Sequence, residues 1–178
     1  FIVLVTLLIL YIVYENHTRN KELLKYAQTD ALTGLYNKET TEQLTDELLS
    51  EDENKSHAFL ILDVDCFKQI NDIYGHAVGD IVLQKFGKLL KGTFREGDIL
   101  GRIGGDEFGV IMKNIQTKDI AMKKAEELLA KTQAYKIDEL KGNNISISIG
   151  ISTAPQDGDC YMDLYKRADQ ALYQAKRS

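Results

Sequence analysis

The stretch that decides the fold is Gly104-Gly105-Asp106-Glu107-Phe108. Two apolar, partly β-branched runs flank it, at residues 99–103 and 108–112, and both are typical of half-buried strands. A Gly-Gly pair between two such runs predicts a hairpin, because glycine adopts positive φ without a Cβ clash. The hairpin would carry Asp106 and Glu107 at its tip, where two carboxylates are either solvated or hold a cation.

Composition limits the classes of function. The chain has 178 residues, a net charge of −5 and 44% hydrophobic residues, which suits one packed domain with an appendage and argues against disorder. An acidic chain argues against binding to a nucleic acid polymer, but a divalent cation would still allow a small phosphorylated substrate. Cys66 and Cys160 form no metal-type cluster or disulfide framework, which favours a reducing compartment.

The N-terminal residues predict a membrane anchor. Residues 1–14 are apolar except for Thr6, and as a helix they would span about 21 Å of a bilayer core that needs about 20 residues. We interpret them as the end of a transmembrane helix, with a signal-peptide core and a buried helix as alternatives. Residues 15–29 would be a helical juxtamembrane linker. Arg19, Lys21 and Lys25 favour a cytoplasmic side, so the globular domain, predicted over residues 30–178, would be cytoplasmic and membrane-anchored.

Helical and strand patterns alternate through residues 30–178. Strands are predicted at 58–64 and 145–151. Two helices are predicted to begin after the N-caps Asn37 and Thr117, the first of them ending at about residue 50. Further helices are predicted over 66–73, from a link at 77–80 to residue 91 with Gly92 as the C-cap, and over 161–176. The predicted buried residues of these helices include Leu44, Leu48, Leu49, Ile120, Ala121, Ala125, Leu128, Leu129, Tyr165, Ala168, Leu172 and Ala175. The order predicts an α/β (α+β) sandwich of the palm or ferredoxin type, with a central antiparallel sheet flanked by helices.

A second acidic group ends the strand at 58–64. This strand is almost continuously apolar, which is typical of a central strand, and it runs into Asp63-Val64-Asp65. Asp65 is well placed to cap the next turn, whereas Asp63 needs a partner or a cation. If the strand lies beside the hairpin, Asp63 meets Asp106 and Glu107, and such hard oxygen ligands favour Mg²⁺ or Mn²⁺. A salt-bridged acidic cluster without catalysis is the alternative.

Other polar residues suggest a nucleotide. The turn after the strand begins a helix whose free N–H groups at Cys66 and Phe67 could receive phosphate. Lys176 is a candidate counter-charge, with an ordinary solvated lysine as the alternative. Asn71 and Asp80 lie near helix ends, where each could be a simple cap. Together, an amide and a carboxylate that accepts from two N–H groups would suit guanine.

At this point the chain resembles the GGDEF-domain diguanylate cyclases. The resemblance rests on spaced motifs in the expected order: DALTGLYN at 30–37, DVDCFKQIND at 63–72, YGH at 74–76, GD at 79–80, GGDEF at 104–108 and ADQALYQAK at 168–176. It covers about residues 28–178 and leaves the N-terminal stretch outside. It implies a palm-like, nucleotide-cyclase-like fold and the condensation of two GTP into cyclic di-GMP with release of pyrophosphate, using Mg²⁺ or Mn²⁺.

The resemblance also implies a role for individual residues. The metal ligands would be Asp63, the Val64 carbonyl, Asp106 and Glu107, with Asp106 as the suspected base for the 3′-hydroxyl and Glu107 at or beside the metal. Asn71 and Asp80 would bind guanine, the Cys66 and Phe67 amides would receive phosphate, and Lys176 would touch the terminal phosphates.

An Arg-x-x-Asp motif precedes the hairpin. Arg95 and Asp98 stand at the spacing of the family's product-inhibition site, where cyclic di-GMP would bind as an allosteric inhibitor. A surface ion pair is the alternative interpretation, and such pairs contribute little to stability.

The resemblance implies a homodimer, because each domain would hold one GTP and two domains must face each other. Three other functions are alternatives: a non-catalytic receptor for GTP or cyclic di-GMP, an enzyme with altered base specificity, and a structural dimerisation domain. The intact acidic residues speak against a receptor, and Asp80 speaks for guanine.

Overall fold

Four antiparallel strands form the centre of the domain. The computed structural model describes residues 2–51 and 55–177. Within them, β1 (His57–Val64), β2 (Ile99–Arg102), β3 (Glu107–Met112) and β4 (Ile147–Ala154) form one sheet in the order β2-β3-β1-β4. This arrangement confirms the predicted hairpin, formed by β2 and β3, and the predicted central position of β1.

Helices cover both faces of the sheet. In chain order, the helices are α1 (Ile2–Gln28), α2 (Lys38–Glu51), α3 (Phe67–Tyr74), α4 (His76–Thr93), α5 (Lys118–Ala134) and α6 (Tyr161–Ala175), with a short 3₁₀ turn at Asp138–Leu140. Helices α4 and α5 cover one face of the sheet, and α2 and α6 cover the other. Alternate side chains of β1 enter two different cores. Leu60 and Leu62 pack towards α4 and α5, whereas Phe59 and Ile61 pack towards α2 and α6. Every residue of β1 is therefore buried, which explains its almost continuous apolar pattern.

Some predicted helix boundaries and faces are wrong. Residues 77–80 form the first turns of α4 and not a link, because Gly75, at φ 85°, reverses the chain between α3 and α4 in a single residue. Helix α4 continues past Gly92 to the C-cap Phe94. Ile120 is 38% exposed and Ala175 is exposed, so neither belongs to the buried stripe of its helix. The predicted N-cap at Asn37 is confirmed, since its Oδ1 accepts from the Thr40 N–H at 2.9 Å.

The N-terminal segments predicted separately form one helix. From residue 2 to residue 28, α1 is continuous; Phe1 lies outside the described residues. Among the helices described over residues 2–51 and 55–177, none is long and apolar enough to span a bilayer. The predicted membrane anchor and cytoplasmic placement therefore remain predictions without support from the structure.

Candidate active site

Three acidic residues meet where β1 and the hairpin run side by side. Asp63, near the end of β1, pairs in register with Glu107, the first residue of β3. The next N–H of β1, at Val64, donates to the Asp106 carbonyl oxygen at 3.2 Å. The Asp63 side chain is only 10% exposed, whereas Asp106 and Glu107 are half-buried. The structure therefore places the predicted metal-ligand residues at one edge of the sheet.

The hairpin turn holds Glu107 by its backbone. Its carbonyl oxygen accepts from the N–H groups of Ile103 and Gly104, at 3.0 and 3.2 Å. A Cβ at Gly104 would lie 2.9 Å from Glu107 Oε2, so the carboxylate occupies the space that a side chain would need. Neither Gly104 nor Gly105 adopts the left-handed conformation that we expected. At Gly104, glycine is favoured by this close approach of Glu107.

Arg102 and Asp30 support the turn, and neither residue was predicted in this role. Arg102 Nε and Nη2 donate to the Gly105 carbonyl oxygen at 3.1 and 2.7 Å, and Nη1 contacts the Asp30 carboxylate at 3.2 Å. Asp30 also accepts from the N–H and hydroxyl of Thr33, at 2.9 and 2.7 Å. The position of Arg102, two residues before the Gly-Gly pair, could have indicated a contact with the turn, but its partner Asp30 lies 72 residues away in the sequence.

The acidic residues strongly affect one another. Burial raises the pKa of Asp63 most, and the charges of Asp106 and Asp65 act in the same direction, against the opposing contact with Lys176. Burial likewise raises the pKa of Glu107, helped by the charges of Asp63, Asp106 and the nearby Asp169. Such a cluster favours a bound cation, because a cation offsets both the burial cost and the mutual repulsion.

Lys176 supplies part of that positive charge. Its Nζ lies 2.7 Å from Asp63 Oδ2. Burial alone would lower the pKa of Lys176, but the hydrogen bond and charge of Asp63 outweigh this effect, so the pKa is raised and the ammonium form is favoured. Lys176 therefore lies at the acidic cluster, while its side chain remains 41% exposed.

The donor set fits a hard divalent cation. Asp63, Asp106 and Glu107 offer carboxylate oxygens and Val64 offers a carbonyl oxygen, which are the ligand types that Mg²⁺ and Mn²⁺ prefer. The carboxylates are not drawn tightly together, however. In the described part of the chain, the group of three acidic, histidine or cysteine side chains whose ligand atoms all lie within 4.8 Å of one another is Asp159, Cys160 and Asp163, and not the group at the end of β1. This group lies near the surface at the start of α6.

The turn after β1 leads into the N-terminus of α3. Cys66 is exposed and adopts a left-handed conformation with φ 56°, and α3 begins at Phe67. The first amides of a helix have no preceding turn to accept their hydrogens, so this terminus suits an anionic ligand. Asp65 does not cap it as predicted. Its Oδ1 accepts instead from the Ser148 hydroxyl at 2.7 Å, which ties the turn to β4.

The predicted guanine-binding residues lie on two adjacent helices. Asn71 is in α3, and Asp80 is the fifth residue of α4. The Asn71 side chain lies against the backbone of Gly79, the neighbour of Asp80 in sequence. Asn71 is half-buried and Asp80 is exposed, so both polar groups lie near the surface.

A groove runs along the C-terminal end of α6. It has a volume of about 560 Å³, and its lining includes Glu107, Asp169, Lys176 and Arg177. Arg177 lies over the Tyr173 ring, 5.4 Å from its centroid. Asp169, Tyr173 and Arg177 were not among the predicted site residues, although the motif at 168–176 contains Asp169 and Tyr173.

Arg95 and Asp98 lie at the opposite end of β2 from the Gly-Gly turn. The Arg95 side chain is 61% exposed, and its Nε donates to Asp98 Oδ1 at 3.0 Å. Asp98 is only 4% exposed and also accepts from the Lys113 N–H at 3.1 Å. A groove of about 600 Å³ borders both residues and reaches the end of α1 at Gln28. The four residues of β2 separate this motif from the acidic cluster by about 13 Å.

Comparisons with known proteins agree with this arrangement. The family model described as "Diguanylate cyclase, GGDEF domain" matches residues 27–178. Diguanylate cyclase A of Treponema denticola is 36% identical over 165 residues, which cover 89% of this chain and 44% of that protein. The chain thus spans less than half the length of that relative.

Solved structures match the fold closely. The GGDEF domain of TpbB from Pseudomonas aeruginosa has a TM-score of 0.78 and 35% identity, covering 84% of this chain and 88% of that one. The GGDEF domain of DgcB from Caulobacter crescentus, solved in complex with c-di-GMP, has a TM-score of 0.77 and 26% identity, covering 85% and 88%. The chain therefore belongs to the GGDEF-domain diguanylate cyclase family.

Proposed function

We propose that this chain is a diguanylate cyclase that condenses two GTP molecules into cyclic di-GMP and releases pyrophosphate. The observation that carries the proposal is the meeting of Asp63, Asp106 and Glu107 at one sheet edge, with Lys176 at 2.7 Å from Asp63. A receptor without turnover has no need for this acidic cluster, so the non-catalytic alternative is not favoured.

Asp63, the Val64 carbonyl, Asp106 and Glu107 are the proposed ligands of Mg²⁺ or Mn²⁺. When bound, the cation would supply charge stabilisation for phosphoryl oxygens during transfer. The burial of Asp63 and the backbone hydrogen bonds of the hairpin hold the carboxylates in place before substrate arrives. Asp106, which is less buried than Asp63, is the proposed base for the 3′-hydroxyl.

The remaining proposed roles concern GTP itself. Asn71 and Asp80 would bind the guanine edge, because a carboxylate matches its two N–H donors and would repel the ring acceptor of adenine. The Cys66 and Phe67 amides would receive phosphate at the α3 terminus. Lys176 would serve the terminal phosphates, and Asp63 holds its ammonium group beside the groove of α6.

Two copies of the chain are proposed to form one active site. Each domain offers one set of acidic residues and one guanine-binding pair, whereas the product requires two attacks by two hydroxyl groups. A homodimer in which the sheet edges face each other satisfies this requirement.

Arg95 and Asp98 are the proposed site of product inhibition by cyclic di-GMP. The exposed guanidinium of Arg95 is fixed in direction by the buried Asp98, which suits bidentate binding of a guanine or phosphate edge. Because about 13 Å of β2 separates the motif from the acidic cluster, the product would act by restraining the domain and not by blocking GTP.

The test is product formation by the purified chain at high protein concentration with GTP and Mg²⁺, read by mass spectrometry. We expect cyclic di-GMP from the parent chain, none from Asp106→Ala, and parental amounts from Asp119→Ala, which removes an exposed aspartate of α5. GTP binding without product, even when dimerisation is forced with a fused dimeric tag, would refute the cyclase and favour the receptor.

A further inference from the structure

A single glycine, Gly75, joins α3 and α4 and sets how the two helices meet. Its N–H donates to the Asn71 carbonyl oxygen at 2.9 Å. Its own carbonyl oxygen accepts from Val78 and Gly79, at 3.1 and 3.2 Å. Gly75 thus ties the main chain of Asn71 to the first turn of α4. The φ of Gly75 is 85°, a conformation that glycine adopts readily and that reverses the chain between the two helices.

The side chain of Asn71 is placed by a second glycine. Gly79 is buried, and a Cβ built on it would lie 2.0 Å from Asn71 Oδ1 and 3.1 Å from Asn71 Cγ. The Phe67 ring is also close, with Cζ at 3.2 Å from that position. The carboxamide therefore occupies the space of the missing side chain and rests on the backbone of α4, next to Asp80.

We propose that Gly79 is a positioning residue for base recognition: its missing side chain admits the Asn71 carboxamide to the place where it acts together with Asp80. This inference rests on the proposed function, in which Asn71 and Asp80 bind guanine. A methyl group at residue 79 displaces the end of a short, rotatable side chain and leaves the α4 backbone in place. The domain would keep its fold and Asp80 its position, while the carboxamide moves.

The experiment compares Gly79→Ala with Gly92→Ala in the full chain. Both glycines lie in α4, and a Cβ at Gly92 would meet nothing within 4 Å. The control therefore replaces a helix glycine by alanine, with the same gain in helix propensity, but displaces no neighbouring side chain. We expect Gly79→Ala to raise the KM for GTP about five- to tenfold, the effect of losing one hydrogen bond, and to change kcat less than twofold. Gly92→Ala should leave both values unchanged.

A double substitution separates positioning from a general structural effect. Asn71→Ala removes the carboxamide and should itself raise the KM for GTP. Adding Gly79→Ala to it should change nothing further, because no carboxamide remains to be displaced. An unchanged KM in Gly79→Ala, or effects of the two substitutions that simply add, would overturn the proposal.

The design also covers failure of folding and failure of the proposed function. Far-ultraviolet circular dichroism reports whether Gly79→Ala folds. If it does not fold, the double variant is compared with Asn71→Ala. Equal affinity of these two variants for GTP supports the proposal, and weaker affinity of the double variant refutes it. Calorimetric titration with GTP repeats the whole series without turnover. A parent chain that binds GTP but makes no product would refute the cyclase and still test Gly79.

Discussion

Arg102→Ala is expected to destabilise the domain and to lower turnover, because Arg102 joins the hairpin turn to the start of the domain. The guanidinium donates twice to the Gly105 carbonyl oxygen, at 3.1 and 2.7 Å, and contacts both Asp30 oxygens, at 3.3 and 3.2 Å. The Arg102 and Asp30 side chains are 17% and 23% exposed, so water screens them only in part. The substitution therefore breaks contacts at both ends of one side chain.

The magnitude follows from the kinds of contact that are lost. Hydrogen bonds from a charged group to the Gly105 carbonyl contribute about 1.5–3 kcal/mol. The partly exposed ion pair with Asp30 adds up to about 1 kcal/mol. Asp30 keeps the N–H and hydroxyl of Thr33 as partners, so no buried charge is left alone. We expect a loss of about 2 kcal/mol, or roughly 4–8 °C in Tm for a domain of this size.

Thermal unfolding followed by circular dichroism measures the stability, and the rate of cyclic di-GMP formation measures the turnover. Arg102→Lys tests geometry, because a single ammonium group cannot reach both Gly105 and Asp30 as the planar guanidinium does; it should recover less than half of the lost stability. Combining Arg102→Ala with Asp30→Asn should cost less than the sum of the two, since they share one contact. Gly105→Ala serves as a local control, because a Cβ there would meet nothing within 4 Å.

A Tm of Arg102→Ala within 1 °C of the parent, with parental turnover, would show that these contacts neither stabilise the fold nor hold the turn. Normal stability with lost turnover would show that Arg102 is needed for turnover but does not stabilise the fold. The stability result does not depend on the proposed function, so the structural part is tested even if the chain makes no product.

Three further predictions concern charge, close packing and product binding. Glu107→Gln is expected to abolish turnover but to raise the Tm of the metal-free chain at pH 7.5, because burial and the charges of Asp63, Asp106 and Asp169 raise the pKa of Glu107 and so disfavour its ionised form in the folded state. The folded state therefore binds this proton more tightly than the unfolded state, and the parent loses stability as the pH rises from 4.5 through the raised pKa, so the gain in Tm should disappear at pH 4. Gly150→Ala should lower the free energy of unfolding, measured with denaturant, by about 3 kcal/mol, because a Cβ there would lie 2.0 Å from the α6 backbone, which cannot move aside. Gly101→Ala should lower it by about half as much, because its Cβ would meet only a threonine side chain, at 1.9 Å. Equal losses in the two variants would contradict this reasoning. Arg95→Ala should remove inhibition by added cyclic di-GMP and lower the free energy of unfolding by about 1 kcal/mol, because Arg95 donates to Asp98 Oδ1 and to the Lys113 carbonyl oxygen. Asp98→Ala should lower the free energy of unfolding by about 1–3 kcal/mol, because it also leaves the Lys113 N–H unpaired. Retained inhibition in Arg95→Ala would refute the assignment.

The sheet could be predicted from the sequence because its signals are local. The continuous apolar run of β1 requires helices on both faces, and the Gly-Gly pair between two apolar runs predicts the β2–β3 hairpin. With β1 beside β3 in the observed register, Asp63 meets Glu107. The acidic group at this end of the sheet was therefore predictable only on the supposition that β1 lies beside the hairpin, which no local signal specifies.

The buried face of α2 shows where hydrophobic pattern fails. Thr41 and Thr45 are fully buried there, while Leu44 and Leu48 are only partly buried. The two threonine hydroxyls donate to helix carbonyl oxygens, at 2.7 and 2.6 Å, so their burial leaves no polar group unsatisfied. A threonine that satisfies its hydroxyl within its own helix is small and effectively apolar, and the sequence alone does not reveal this.

Contacts between distant residues were also beyond the sequence. Asp65 had a plausible local role as a cap, but the Ser148 hydroxyl, 83 residues away, binds its carboxylate. Similarly, Lys176 had no local feature that placed it at Asp63. Each of these partners depends on how β4 and α6 are arranged around β1, which only the assembled fold determines.

The short strand β2 connects the regions that matter for function. The end of α1 is bound by Asn37, whose N–H donates to the Gln28 carbonyl oxygen at 2.9 Å. The preceding residue, Tyr36, bonds β2 at Leu100 and Arg102, at 3.0 and 2.8 Å. Arg102 then holds the Gly-Gly turn beside Asp106, and Asp98 lies just before the strand. These hydrogen bonds form a continuous path from the end of α1 through Tyr36 to β2, so under the proposed function a ligand bound at Arg95 and Asp98 would contact the same strand from its other end.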